Sequence, residues 1–457
     1  MPAGRVGLFT QSAGVATLTL SRALERGCGI SSFVASGAFA DVTANDLMQY
    51  WSDDPDTDIC LLTLDAIGNP RKFFRVLRRL ALEKPVVIFT PSRALLSARH
   101  HTAVGLVAVP PGALDEVIRH AGAIVTARRD TMFDVAGILA RQPVPPGRRV
   151  RVISTSAGLT GQMRQAAHRF GLHPSAVTVS GDPVAGLVRA ARQALADPHV
   201  DIVLTAAVEI SQPVSGPVHR GLEELAAACR RPLVGVFVGF GPPPTGTDLP
   251  VFTSYADALE ALALIADNEE KRAAARPDPD DDTAPPPAED ATDLLRGLLA
   301  AHPGGGWLSD DECSRLLAAY GIAVAPGDAP GTAVTLRAVE DPVLGPIMSV
   351  GLAGPVPELL DDRTWRVPPL RRRDARDMLT GLGTAALLTG HGDSAPVDLA
   401  ALEDLLMRLG RLKDELVSVV EVELGPVLVG PDGARVTGAR ARVLPLDPER
   451  DPLARSL

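Results

Sequence analysis

The chain has 457 residues, 46% of them hydrophobic but only 4% aromatic, so it can bury several aliphatic cores of ordinary domain size. A formal net charge of -10 excludes a general nucleic-acid binder, which needs a basic footprint against phosphates, and argues against adhesion to an anionic membrane. No apolar run is long enough to span a membrane, the start MPAGRVGLFTQSAG lacks the apolar stretch of a signal peptide, and Cys28, Cys60, Cys229 and Cys313 are too far apart for a metal motif, so a cytoplasmic protein with reduced thiols is expected.

In chain order, Arg5–Thr10 is a short apolar run and predicts a strand. A turn at Gln11–Gly14 and a helix over Val15–Arg26 follow. Strands are predicted at Ser31–Ala35, Ile59–Leu64 and Pro85–Phe89, with helices at Asn45–Trp51 and Pro70–Leu82 between them. The pattern restarts with a strand at Arg149–Ser154, a turn at Thr155–Gly158 and a helix at Leu159–Phe170. Helices at Pro183–Ala196, Pro217–Cys229 and Tyr255–Asp267 then alternate with strands at Asp201–Ala206 and Pro232–Val238. Short apolar strands between amphipathic helices predict parallel sheets covered on both faces. Residues 1–145 and 146–275 therefore read as two α/β units of similar design. The stretch RPDPDDDTAPPPAED is acid- and proline-rich, so 276–291 reads as a solvated linker. Residues 292–457 form an α+β region, with a strongly apolar helix at Leu399–Leu412 and a terminal hairpin turning at Pro431–Gly433.

Both α/β units open strand, Ser-and-Gly turn, helix. A helix N-terminus at the carboxyl edge of a parallel sheet offers free backbone N–H groups and the positive dipole end to an anion. Ser12, Ala13 and Gly14, and likewise Ser156, Ala157 and Gly158, are thus candidate phosphate contacts. The competing reading is structural, since serine is a strong N-cap residue and a tight turn favours glycine.

The stretch from Ser36 to Val87 carries a more specific signal. Asp46-Leu47, Tyr50-Trp51, Asp54-Pro55, Thr57-Asp58, Asn69-Pro70-Arg71-Lys72-Phe73 and Lys84-Pro85-Val86 occur in one unbroken register. This order resembles the succinyl-CoA-ligase-like flavodoxin domain of NDP-forming acyl-CoA synthetases. The segment RVRVISTSAGL and PVFTSYADALEALA resemble that family's second flavodoxin-like domain, and EDPVLGPIMSVGLAG together with VEVELGPVLV resembles the C-terminal part of its ATP-grasp domain. The resemblance implies an α/β fold: two flavodoxin-like parallel-sheet domains followed by a truncated ATP-grasp-like α+β domain.

It also implies chemistry. In the family, acyl-CoA and phosphate give acyl-phosphate, a histidine takes the phosphoryl group, and ADP receives it with Mg²⁺. His101 in His100-His101-Thr102-Ala103 falls on the histidine position, and Asp65 on that of the carboxylate that supports it. Several positions depart from the pattern. Ala38 replaces an amide and Thr90 a lysine. Glu421 and Glu423 remain as residual acids, whereas Gly425 and Gly438 replace expected metal-ligand positions. Only a short stretch separates Ala325 from Glu340-Asp341-Pro342, where the family carries its nucleotide-clamping half. The CoA-binding domain that in the family precedes the position of Arg5 is expected to be missing. The expectation is a protein that is non-catalytic or regulatory alone. The alternatives are a ligase subunit completed by a partner that supplies CoA- and ATP/ADP-Mg-binding domains, and a module binding CoA esters or another phosphate ligand. A homodimer is a further expectation.

Overall fold

The structure is a computed structural model that describes residues 3–37, 42–65, 67–91, 106, 109–209, 214–239, 241–275, 290–327, 330–391 and 395–445. The expected linker thus lies outside the described residues, apart from Asp290 and Ala291, which open a helix. The chain forms two compact units. The described residues up to 65, with 76–91 and 121–275, make the first, and the second combines 67–75, 106–120 and the region from 290 onward.

The first sheet of the first unit is built from β1 (Ala3–Thr10), β2 (Ile30–Ala35), β3 (Ile59–Thr63), β4 (Val86–Phe89) and β5 (Ile124–Thr126). All are parallel, in the order β2-β1-β3-β4-β5. Its helices are α1 (Ala13–Glu25), α2 (Ala44–Asp53) and the part of α3 (Pro70–Glu83) from residue 76 on, the first turns of α3 belonging to the second unit. Next in the chain, α4 (Pro111–His120) belongs to the second unit and α5 (Arg129–Leu139) to the first.

The second sheet has β6 (Arg149–Ser154), β7 (His173–Thr178), β8 (Ile202–Val208), β9 (Leu233–Val238) and β10 (Val251–Phe252), with helices α6 (Ala157–Arg169), α7 (Pro183–Ala196), α8 (Ser215–Ala226) and α9 (Tyr255–Ala275). Its order, β7-β6-β8-β9-β10, repeats that of the first, and all of its strands are parallel. One aliphatic core takes in Leu8 and Leu61 of the first sheet, Phe133 of α5, Leu262 of α9 and Val152 and Leu204 of the second sheet. The two sheets therefore bury their apolar strands against helices they share.

Residues of the 46–86 register act as scaffold. Trp51 is fully buried, and its indole N–H donates to Ser32 Oγ at 2.8 Å. Lys84 donates to the carbonyls of Trp51 and Asp54, Thr57 donates to Asp54 Oδ2 at 2.7 Å, and Asp58 pairs with Arg5. These bonds tie the end of α2 to the strands on either side of it.

The second unit is an antiparallel sheet packed on helices. It comprises α10 (Ala291–Ala301), β11 (Gly306–Trp307), α11 (Asp310–Ala318), β12 (Thr332–Asp341), β13 (Gly345–Leu352), α12 (Pro355–Leu359), β14 (Arg363–Arg366), α13 (Arg372–Thr380), α14 (Ala386–Thr389), α15 (Leu399–Glu415), β15 (Val419–Gly430), β16 (Gly433–Val436) and β17 (Ala439–Val443). The strand order is β11-β17-β15-β12-β13-β14, with β16 paired to β15. Alternation sends Leu336, Met348, Val422 and Leu424 into a core with Met378, Leu406 and Leu409, and turns Arg337, Ser349, Glu421 and Glu423 to the opposite face. Arg71, from the Asn69–Phe73 motif, donates to the Asp414 carbonyl at 3.0 Å and to its carboxylate at 3.2 Å, so the first turn of α3 is held to α15.

The expected turn at residues 431–433 is the β15–β16 connection. The expected turns at 11–14 and 155–158 are shorter than the sequence reading, because Ala13-Gly14 and Ala157-Gly158 already form the first turns of α1 and α6. Strands β5, β7, β10, β11 and β14 are too short or too polar to stand out by periodicity.

The fit of Trp51 yields a stability test. A Cβ added at Gly7 would stand 2.5 Å from the indole ring, so Gly7→Ala overpacks the core beneath β1. We expect a loss of about 1–3 kcal/mol, read as a lower urea midpoint at unchanged m.

Candidate functional site

In both sheets the strand order reverses between the first and third strands, and open α/β sheets bind ligands beyond the carboxyl ends at such a point. The first sheet places three of the expected residues there. Ser12 follows β1 and caps α1, its Oγ accepting from Val15 N at 3.4 Å. Asp65 lies just past β3, and its backbone N–H donates to Gln11 Oε1 at 2.6 Å. Gln11 is buried, and so is Thr90 after β4. Gln11 was read only as a turn residue, yet it fixes the backbone of Asp65 across the switch point. His101, with its neighbours His100, Thr102 and Ala103, and Ala38 lie outside the described residues.

The second sheet repeats the capping. Ser156 Oγ accepts from Leu159 N at 3.3 Å, and Ser156 N donates to Ser154 Oγ at 3.2 Å, as Ser12 N does to Thr10 Oγ1 at 3.5 Å. Both serines therefore spend their side chains on their own helices, as the capping reading expects. Glu209, which sequence reasoning passed over, follows β8 and accepts from Ser215 N at 2.7 Å. That bond, at the start of α8, holds its carboxyl below the usual range. A single acid between a strand and a helix is the only trace it leaves in the sequence.

The residual acids lie in the second unit, on neighbouring same-face positions of β15. Glu421 is 3% exposed and accepts from Arg337 Nη2 at 2.6 Å. Glu423 stands opposite Arg337 on one side and Arg440 on the other. Arg440 donates to it at 2.8 Å, and Arg337 Nε lies 3.8 Å away. Arg440 in turn stacks 5.1 Å over the ring of Trp307. The result is a ladder of alternating charge across β12, β15 and β17.

This arrangement does not fit a divalent cation. Mg²⁺ needs several oxygen ligands free to face it, and both carboxylates here are matched to guanidinium groups. The glycines beside them bring no side-chain ligand. Gly425 N donates to Gly438 O at 2.9 Å, and a Cβ at Gly438 would come within 2.7 Å of Gly425 O, so the backbone leaves no room for a carboxylate at 438. Among the described residues no group of three or more His, Cys, Asp or Glu side chains is placed to hold a metal.

Comparison with known proteins agrees with this architecture. A family model described as a succinyl-CoA-ligase-like flavodoxin domain matches residues 3–139, and one for an ATP-grasp domain matches residues 325–443. An ADP-forming acetate–CoA ligase I of Archaeoglobus fulgidus is 23% identical over 545 aligned positions, covering 96% of this chain and 77% of the relative. The chain belongs to the NDP-forming acyl-CoA synthetase family.

That alignment is longer than this chain, so the relative carries residues with no counterpart here. Family members also occur as separate chains. The beta subunit of acetate–CoA ligase II from Pyrococcus furiosus is 33% identical over 126 residues, covering 27% of this chain and 53% of the subunit. The alpha subunit is 25% identical over 158 residues, covering 34% of each. An acetyl-coenzyme A synthetase 1 from Ca. Korarchaeum cryptofilum shares the fold, with a TM-score of 0.50 at 19% identity over 60% of this chain and 66% of that one. It has also been solved in complex with phosphate and ADP.

The ladder predicts unequal arginines. Arg337→Met leaves Glu421 buried and unpaired, which costs about 3–5 kcal/mol. Arg440 is 57% exposed at its side chain, so Arg440→Met costs no more than about 1 kcal/mol. Urea denaturation of both variants checks the order.

Proposed function

We propose that this chain is an acyl-CoA synthetase-like protein that does not by itself join an acid to CoA at the expense of a nucleotide, and that its role is regulatory or supporting. The observation that carries this reading is the pairing of Glu421 and Glu423 with Arg337 and Arg440. Carboxylates so matched, with glycine at 425 and 438, supply no open oxygen set for the cation that neutralises a nucleotide's phosphates. The residues missing relative to the A. fulgidus ligase point the same way.

A second reading has its own support. The carboxyl edge of the first sheet keeps Asp65 fixed by Gln11 beside the capped start of α1. With His101 as phosphoryl carrier and Ser12–Gly14 and Ser156–Gly158 as phosphate contacts, such an edge serves a subunit whose partner supplies CoA and the ATP/ADP-Mg site. The separate alpha and beta subunits of the P. furiosus relative provide the precedent. Assembly would be with such a partner or as a homodimer. No helix among the described residues is long and apolar enough to cross a membrane.

The two readings part on one experiment. The full chain is incubated with γ-labelled MgATP, alone and with ATP-grasp and CoA-binding proteins as candidate partners. We expect no acid-labile label and no CoA-ester formation by the chain alone; turnover by the isolated chain overturns the first reading. A label that appears only with a partner, and disappears in His101→Asn, establishes the second.

A further inference from the structure

Helices α1 and α6 are built as twins. Residues 12–27 and 156–171 run without a gap from a capping serine through 13 helical residues to a left-handed glycine, Gly27 at φ 63° and Gly171 at φ 75°. Both helices bury matching positions, Ala16 and Thr160, Thr19 and Met163, Ala23 and Ala167. Their outer faces differ. Leu18 and Leu24 are 56% and 49% exposed where α6 carries Gln162 and His168, and Leu20 takes the place of Arg164. A surface helix turns a charged or polar face to water, as α6 does. In contrast, α1 has no charge from Ala13 to Ser21, and its first charged residue, Arg22, pairs with Asp130 at 3.2 Å.

The shape and charge of this face select its occupant. Gly14, Thr17, Leu18 and Ser21 lie at helical spacing on one stripe, and all four are exposed. Positions so spaced form the hole that receives one side chain of a facing helix. Three of them are small and the fourth is a large apolar knob. Above Gly14 the space is open, since a Cβ there would meet nothing within 4 Å. The stripe thus complements itself, which a two-fold contact between identical chains requires. Antiparallel packing of two such helices also sets their dipoles in opposition, which is favourable. With a formal net charge of -10, two copies repel each other on average and approach best where charge is absent. Strand β2, which follows α1 and forms the open edge of the sheet, is uncharged as well over Ile30–Ala35. A strongly acidic or basic partner would find nothing here to pair with.

We propose that α1 is a self-association surface. Two copies of this chain pack their α1 helices antiparallel, with Leu18 of each entering the hole among Gly14, Thr17 and Ser21 of the other. This gives the homodimer a definite surface. It holds whether or not the chain turns over, and a labelling result on His101 leaves it untouched.

Sedimentation velocity of the full chain over a dilution series tests it. We expect a concentration-dependent monomer–dimer equilibrium. Its dissociation constant rises by about tenfold or more in Leu18→Glu and in Ser21→Arg, both at exposed positions, and is unchanged in Gln162→Glu, the matching position on α6. Circular dichroism melts check that each variant is folded, and Ser21→Arg carries the test if Leu18→Glu fails to fold. A wild-type chain that stays monomeric overturns the proposal, including one that associates only with a different protein. So does a dimer that the folded variants form as tightly as wild type, or one that Gln162→Glu weakens equally.

Discussion

The charge ladder across β12, β15 and β17 is the constraint around which the polar face of the second unit is built. Glu421 is almost fully buried, and an isolated carboxylate there would be expensive to keep ionised. Arg337 offsets that cost at 2.6 Å, and Arg440 completes the row through Glu423. Once made, those pairs consume the negative charge that a metal would need. The close approach of the Gly425 and Gly438 backbones fixes the same outcome from the main chain, because no side chain fits at 438 without moving it. Building a cation site there would therefore require changes on three strands together.

The first unit keeps a different character. Two sheets with the same strand order share one aliphatic core, and each starts its first helix with a serine cap. Gln11 sets Asp65 at the switch point of the first sheet, and Glu209 holds the start of α8 beyond the second. Buried thiols fit the same scaffold role; desolvation pushes Cys60 up to about 12.

Much of the architecture was legible because aliphatic strands and amphipathic helices carry clear periods. Both α/β units, the α15 helix and the final hairpin follow from that pattern. The motif of residues 46–86 identified the family, but its residues act mainly as scaffold: Trp51, Asp54, Thr57 and Lys84 hold one corner of the sheet, and Arg71 holds α3 to α15. The ladder was half visible. Glu421 and Glu423 stood out as acids two apart on a strand, but their partners lie 84 and 17 residues away in the chain, and only strand register brings them together.

The central claim is that the acid pair on β15 is closed to a divalent cation. Mn²⁺ binding followed by electron paramagnetic resonance, with and without ADP, tests it most directly. The account predicts no saturable Mn²⁺ signal from the full chain and none recruited by ADP. A stoichiometric bound Mn²⁺ that is lost in Glu421→Gln or Glu423→Gln would contradict it.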